Sequence, residues 1–349
     1  MSKKTAPYSQ NANTMKNKAV KSAAIAISIL IICASCTPKK QYYAESGSVF
    51  HTIYSIKYEA SKPLTDKIDA ELQAFNLSMN PFNPNSIISR VNRNEDVEVD
   101  EWFTVVFNKA MEVSANTDGA FDVTVAPLIN LWGFGFEKAD SISQQVIDSL
   151  KSFVGYQKVR IENKRVIKDD PRIKLNFSAI AKGYASDIVA AVLEREGVEN
   201  YMVSIGGEIT SKGKNQNGNC WGLGISKPED DSTGLTNEVE RVAEVCNKVG
   251  FATSGNYRNY YIKDGKKYAH TIDPHTGYPS ERSILSATIV APDCMTADAY
   301  ATAFMVMGIE VAEKITEKAP EIEYFLIYSD NEFGKYKIKY SEGMKSMLR

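Results

Sequence analysis

Two side chains with hard oxygen atoms, Asp298 and Thr302, lie four residues apart in the segment APDCMTADAYATAFMVMG, residues 291–308. On an α-helix this spacing places both on one face. The apolar residues that follow predict a buried helix, and a buried carboxylate is costly unless a cation or a donor meets it. The pair is therefore a candidate cation site. The alternative is that Thr296 caps the helix and Asp298, in its first turn, only favours the positive end of the helix dipole.

The segment NFSAIAKGYASD, residues 176–187, could hold an anion. We predict a strand that passes through a tight turn of small residues into a helix over residues 183–196. Backbone amides at such a helix start, beside Lys182, favour a phosphate. The spacing matches neither a Walker loop nor the dinucleotide pattern GxGxxG, so the alternative is that the small residues only allow close helix packing.

Two of the three histidines, His270 and His275, share the segment YAHTIDPHTGYP with Asp273, at residues 268–279. We predict a hairpin whose exit is a long turn carrying these side chains. Turns with His and Asp on a sheet framework often hold catalytic groups.

The elements that must position these groups alternate between strands and helices. Period-2 patterns predict strands over residues 49–58, 158–162, 166–168, 172–177, 201–205, 221–226, 241–246, 284–290, 324–328 and 336–340. Helical spacing predicts helices over residues 64–75, 101–116 and 146–153, and an Asn/Pro cluster predicts a loop over residues 80–86. Strands mixed with helices and several hairpins favour an α+β fold, with mixed, largely antiparallel sheets and flanking helices, over a doubly wound parallel sheet.

The N-terminal segment differs in kind from the rest. Lysines precede an almost wholly apolar run over residues 23–32, which predicts a secretory signal over residues 1–35, with Met15 as an alternative start. Small residues before Cys36 resemble a bacterial lipobox, so we expect Cys36 to be the lipidated first residue of the mature protein. Residues 36–48 are predicted to be a polar tether, and residues 49–349 one domain.

The net charge and the cysteine spacing argue against some classes of function. The net charge of −2 argues against a nucleic-acid binder. Three cysteines follow the leader, Cys220, Cys246 and Cys294, and they lack CxxC spacing, so the sequence indicates neither a zinc site nor a disulfide framework.

Seven segments in order resemble the ApbE family, the FAD:protein FMN transferases. They are a loop with Ser78 and Ser86, then GAFDVT, SAIAKGYASD, SIGGE, ATSGNYRNYY, AHTIDPHTGYP and ADAYATA. The resemblance covers the chain from about residue 49 to the last strands. It implies binding of FAD and Mg²⁺, cleavage of the FAD diphosphate, and attachment of FMN to a threonine or serine hydroxyl of a target protein.

Carried over residue by residue, the resemblance implies a Mg²⁺ site made of the Asp298 and Thr302 side chains and the Ala179 carbonyl, an oxygen set that suits this ion. It also implies flavin contacts at Ser78, Met79, Asn80, Ala120, Phe121, Asp122, Asn176, Lys182 and Ile272. Three positions depart from the family pattern. Asn176 replaces a common aspartate, Phe50 and His51 replace Met-Gly, and Thr271 replaces isoleucine.

The residues also fit this chemistry. Phosphoryl transfer requires that the charge of the diphosphate be neutralised, which Mg²⁺ and Lys182 supply. His270, with Asp273 behind it, is the candidate acceptor of the target hydroxyl's proton. The alternative is that His270 packs in the turn and that metal and positioning suffice.

The resemblance further implies a lipid-anchored protein on the extracytoplasmic, periplasmic side of the membrane. Its partner would be a subunit of a membrane redox complex, such as a sodium-translocating NADH:quinone oxidoreductase or an Rnf-type complex. Two other functions stay open: a Mg²⁺-dependent FAD pyrophosphatase that gives FMN and AMP, and an FAD-binding lipoprotein without turnover.

Overall fold

The computed structural model describes residues 39–135, 142–228, 238–257, 260–263, 266–281, 283–330 and 335–349. Its helices are α1 (Thr65–Met79), α2 (Ile87–Asn92), α3 (Glu101–Asn116), α4 (Ala126–Leu131), α5 (Gln144–Lys151), α6 (Ala181–Arg195), α7 (Cys294–Met307), α8 (Ile309–Lys318) and α9 (Glu342–Met347). Its strands are β1 (Gln41–Val49), β2 (Thr52–Ala60), β3 (Val159–Glu162), β4 (Arg165–Lys168), β5 (Tyr201–Ile205), β6 (Glu208–Lys212), β7 (Trp221–Ser226), β8 (Val239–Val245), β9 (Val249–Gly255), β10 (Tyr260–Lys263), β11 (Lys266–Ala269), β12 (Ile284–Ala291), β13 (Glu323–Ser329) and β14 (Tyr336–Tyr340).

An eight-stranded sheet organises the described chain, in the order β1-β2-β5-β6-β9-β12-β13-β14. The pairs from β2 to β14 are antiparallel. Successive residues of a strand point to opposite faces, so Phe251 of β9 joins one apolar cluster while Ala252 joins the other. The predicted α+β class with largely antiparallel sheets is confirmed.

Helices α6 and α7 contact each other and the centre of the sheet. Helix α6 packs on β5 and β6, and α7 packs on β9 and β12. Helix α7 is mostly apolar, and Ala299, Ala303 and Phe304 are fully buried, as expected for a helix enclosed by protein. The two helices that carry Lys182 and Asp298 therefore lie side by side on the sheet.

The structure differs from two of the predictions for residues 41–60. Residues from Gln41 on form strand β1, where we expected a tether up to residue 48. The strand expected over residues 49–58 is found as β2 from Thr52 on, whereas Val49 ends β1, and the two strands are joined at Phe50 and His51, whose φ angles are 53° and 58°. Such turns usually carry Gly, Asn or Asp, and Phe50 and His51 are not residues from which a turn can be predicted.

The strand expected over residues 172–177 is wrong, because these residues are not part of a strand. Its apolar residues Ile173, Leu175 and Phe177 are buried, which explains the alternating pattern. The side-chain amide of Asn92 donates to Leu175 O at 2.8 Å and accepts from Leu175 N at 2.7 Å. An asparagine side chain thus replaces the neighbouring strand.

The expectation of no disulfide is corrected by a bond between Cys220 and Cys246, whose Cα atoms are 4.8 Å apart. Trp221 of β7 pairs with Val245 of β8. The two cysteines are the next residues beyond this pair, so the antiparallel hairpin brings them face to face. Pairing across 26 residues leaves no local spacing to detect. Cys294 is buried and free.

The predicted signal over residues 1–35 and Cys36 lie outside the described residues. Within the part of the chain that is described, no helix is both long and apolar enough to cross a membrane.

Candidate functional site

A cavity of about 650 Å³ lies where α6 and α7 meet the turns that leave the sheet. Its walls combine residues that are far apart in sequence. Most of the predicted site residues line it: Ala120, Phe121, Asp122, Asn176, Ala179, Lys182, His270, Ile272, Asp298 and Thr302.

Asp298 and Thr302 line one wall of this cavity from α7. The helix begins at Cys294, and Asp293 is its N-cap, with its carboxylate accepting from Thr296 N at 2.7 Å. Asp298 is therefore the fifth helical residue, so the alternative of a Thr296 cap with Asp298 in the first turn is wrong. Asp298 is 3% exposed, and its Oδ2 accepts from Gly183 N at 3.0 Å.

Lys182 lies between two carboxylates at this wall. Its Nζ is 2.6 Å from Glu208 Oε1 and 3.8 Å from Asp298 Oδ1. Burial alone would lower the pKa of Lys182, but the carboxylates of Asp298 and Glu208 outweigh it and raise that pKa. Burial raises the pKa of both carboxyl groups, with Lys182 acting in the opposite direction.

Glu208 also lines the cavity, although no sequence pattern predicted it as a site residue. The glycines before it have φ angles of 68° and 104°, conformations that side chains disfavour. A Cβ on Gly206 would lie 3.1 Å from Glu208 Oε2 and 3.1 Å from Lys182 Cδ. The glycine pair therefore lets the carboxylate turn under the lysine. The available signal was an acidic residue directly after Gly206-Gly207.

This corner suits a hard cation. Two carboxylates share one ammonium, and Glu208 Oε2 is buried with no hydrogen-bond partner among the described residues. Ala179 and Thr302 line the same cavity, and Thr302 Oγ1 lies 3.1 Å from Ser254 Oγ. The described residues contain no group of three His, Cys, Asp or Glu side chains placed to hold a metal. Oxygen donors with excess negative charge fit Mg²⁺ better than zinc.

The start of α6 differs from the predicted anion site. Ala181 N donates to Phe177 O at 2.8 Å, and Gly183 N donates to Asp298 Oδ2. A Cβ on Gly183 would lie 2.3 Å from Cys294 O. The small residues therefore serve close helix packing, which was the alternative, while Lys182 still faces the cavity.

A second cavity of about 300 Å³ adjoins the first, because Ser178, Lys182 and Gly206 line both. Met79, the last residue of α1, and Asn80 of the predicted loop lie on it, as does Phe82, whose ring centroid is 4.2 Å from that of His51. Lys182 is therefore part of the wall of both cavities.

Ser78 lies on neither cavity. It is fully buried, and its hydroxyl donates at 2.8 Å to Asp100, the N-cap of α3. Ser78 is therefore a buried residue that supports the N-cap of α3.

The two histidines of the predicted turn have different surroundings. His270 lines the main cavity, with the ring of Phe134 edge-on at 6.4 Å. Asp273 does not lie behind it as expected: its Oδ1 accepts from His275 N at 2.9 Å and lies 3.3 Å from His275 Nδ1. His275 Nε2 is 2.7 Å from Asp118 O. Asp273 and His275 thus join two turns, and of these three described residues only His270 lines the main cavity.

Asp122 and Asn176 line the cavity while holding its wall together. The Asp122 carboxylate accepts from Thr124 N, Thr124 Oγ1 and Tyr156 N at 2.6 to 2.8 Å. Burial raises its pKa against these hydrogen bonds. Asn176 Oδ1 accepts from Ser178 N at 2.8 Å. These bonds shape the turns that carry Ala120, Phe121 and Ala179.

Known proteins resemble this chain in sequence and in fold. Residues 50–326 match the model of the ApbE family. The FAD:protein FMN transferase of Vibrio cholerae is 36% identical over 323 residues, covering 89% of this chain and 95% of that protein. That of Haemophilus influenzae is 36% identical over 332 residues, covering 89% and 94%. The solved structure of the flavin transferase ApbE from Vibrio cholerae superimposes with a TM-score of 0.78 at 36% identity, covering 88% of this chain and all of that one.

Proposed function

The chain belongs to the ApbE family, and we propose that it transfers FMN from FAD to a threonine or serine hydroxyl of a target protein in a Mg²⁺-dependent reaction that releases AMP. Flavin transfer is the activity of its relatives, and the chain is an enzyme of the same type, an FAD:protein FMN transferase. The observation that carries the finer proposal is the convergence of Asp298, Thr302, Lys182 and His270 on one cavity.

The proposed reaction exchanges one bond to phosphorus for another. The target hydroxyl oxygen bonds to the FMN phosphorus, the diphosphate bond to AMP breaks, and the hydroxyl proton leaves. Bound Mg²⁺ would supply charge neutralisation at the diphosphate. Asp298, Thr302 and the Ala179 carbonyl would hold the ion, and Lys182 would orient the phosphates.

His270 is proposed to accept the proton of the target hydroxyl. Its place on the cavity wall supports this role, and a histidine suits proton transfer near neutral pH. Asp273 takes no part in this step, because its carboxylate is bonded to His275.

For the location we propose the extracytoplasmic side of the membrane, with a lipid on Cys36 as anchor and a redox-complex subunit as target. The Cys220–Cys246 disulfide supports an oxidising compartment, because disulfides persist mainly outside the cytosol.

The test is to incubate the protein with FAD and Mg²⁺, with and without an acceptor domain, and to measure AMP and covalent flavin. If the protein is a transferase, flavin becomes covalently attached to the acceptor, and AMP formation depends on the presence of the acceptor. AMP released equally without acceptor would instead indicate a pyrophosphatase, and FAD binding without AMP a carrier.

A further inference from the structure

Asp187 of α6 lines neither cavity, yet its carboxylate is fully engaged with other elements. Oδ1 accepts from Thr210 Oγ1 of β6 at 2.7 Å and from Cys294 N at 3.0 Å. Oδ2 accepts from Met295 N at 2.8 Å. A single side chain of α6 thus holds the first two amides of α7.

Helix α7 already has its own N-cap, and that cap does not reach these two amides. The Asp293 carboxylate accepts from Thr296 N at 2.7 Å, and its carbonyl accepts from Ala297 N at 3.2 Å. The N-terminal amides of α7 are therefore divided between Asp293 of its own chain segment and Asp187 of the neighbouring helix. The positive end of the α7 dipole also favours both carboxylates.

A second bond joins the same two helices one turn earlier on α6. Gly183 and Asp187 are four residues apart and so share one face of the helix. Gly183 N donates to Asp298 Oδ2 at 3.0 Å, and its Cα lies so close to α7 that an added Cβ would be 2.9 Å from Asp298 Cβ. The contact at Gly183 fixes the distance between the helices, and the bonds from Asp187 fix α7 along its axis.

We infer that Asp187 is a positioning residue that sets α7 against α6 and thereby holds the Asp298 carboxylate at its place beside Lys182. A shift of α7 along its axis would move Asp298 relative to Lys182, Ala179 and Glu208, which lie on other elements. The inference rests on the proposed function, since it assigns Asp187 to the geometry of the proposed cation site.

The test compares Asp187→Asn with Asp293→Ala, which removes the cap on the same helix end but leaves the bonds to α6. Each full-length protein is titrated with Mn²⁺ without FAD, followed by electron paramagnetic resonance, and its urea unfolding is measured separately. Asp187→Asn retains one side-chain oxygen as an acceptor. The other oxygen is replaced by an NH₂ group, a donor that faces an N–H. We expect it to weaken Mn²⁺ binding about 10- to 100-fold, the range seen when support of a metal ligand is lost.

Asp293→Ala should lower the stability of α7 and leave Mn²⁺ affinity unchanged. If Asp187→Asn also loses only stability and binds Mn²⁺ as the wild type does, Asp187 is a helix cap and the inference is wrong. If Asp187→Asn does not fold, Thr210→Val decides the matter, since it removes one donor to the carboxylate and should weaken Mn²⁺ binding about threefold; unchanged affinity overturns the inference. Wild-type protein that binds no Mn²⁺ refutes the proposed cation site itself, and the inference with it.

Discussion

The Lys182 ammonium lies 2.6 Å from Glu208 Oε1, so the cation expected to meet the substrate phosphates is already paired inside the protein. With Asp298 on its other side at 3.8 Å, one positive group serves two carboxylates. The corner by itself does not attract an anion. A bound divalent cation would reverse that balance, since it brings two positive charges to the same carboxylates.

This charge balance predicts that FAD and Mg²⁺ strengthen each other's binding. Removing Mg²⁺ with a chelator should weaken FAD binding by about tenfold or more, within the usual range of coupling between sites. Glu208→Gln removes one carboxylate charge and should reduce this Mg²⁺ dependence. FAD titrations by flavin fluorescence, with and without Mg²⁺, measure both effects. Equal FAD affinity in the two conditions for the wild type would refute the coupling.

His270 and His275 form a natural pair of test and control. His270→Ala should slow FMN transfer by about a hundredfold or more, because it removes the proton acceptor. The wild-type rate should fall on the acid side as the histidine protonates, and that limb should vanish in the variant.

His275→Ala should instead lower stability by about 1 kcal/mol, through loss of the bonds to Asp118 and Asp273, and leave the pH profile of transfer unchanged. These expectations are checked by measuring the single-turnover rate of transfer across pH, with saturating FAD, for the wild type and both variants. An acid limb that persists in His270→Ala would remove this histidine from the chemistry.

The sequence predicted the elements that carry the site better than the contacts within it. Helix α3 matches the predicted bounds of 101–116, because its apolar stripe and Asp100 cap are local signals. The helix that carries Asp298 was expected from its buried, alanine-rich run. Ten of the predicted site residues meet in one cavity, although no local pattern fixed their distances.

The contacts that could not be predicted share a physical cause, because each depends on a partner far along the chain. Asp273 bonds to His275 because the turn is anchored at Asp118, more than 150 residues earlier. Glu208 acquires its role from Lys182, and Cys220 meets Cys246 only after β7 and β8 pair. Tertiary contacts of this kind leave no spacing in one sequence.

The disulfide should stabilise the β7–β8 hairpin without shaping the site. For its separation of 26 residues, loop-closure entropy predicts a loss of about 3.5 kcal/mol in the free energy of unfolding when the bond is removed. Urea unfolding of the wild type with and without reductant measures this. The double variant Cys220→Ser/Cys246→Ser should match the reduced protein and should not respond to reductant. A wild type that is equally stable in both conditions would contradict the prediction.

Cys36 is expected to carry the lipid anchor, so Cys36→Ser should release the protein from membranes or block its processing. Several acyl chains hold a protein firmly, whereas one chain gives only marginal binding. Membrane fractionation and mass spectrometry of the N-terminus distinguish the forms. A Cys36→Ser protein that is still processed and firmly membrane-bound would refute lipidation at this residue.

The most direct measurement of the central claim is single-turnover transfer by wild-type protein and by Asp298→Asn. Asparagine keeps an oxygen for the Gly183 N–H bond and removes the charge that the cation needs. With Mg²⁺, stoichiometric FAD and an acceptor domain, the wild type should form FMN-acceptor and AMP in equal amounts. Asp298→Asn should remain folded and bind the acceptor, with transfer slowed by about a hundredfold or more. Transfer by Asp298→Asn at the wild-type rate in low Mg²⁺, or AMP from the wild type without FMN on the acceptor, would contradict the account.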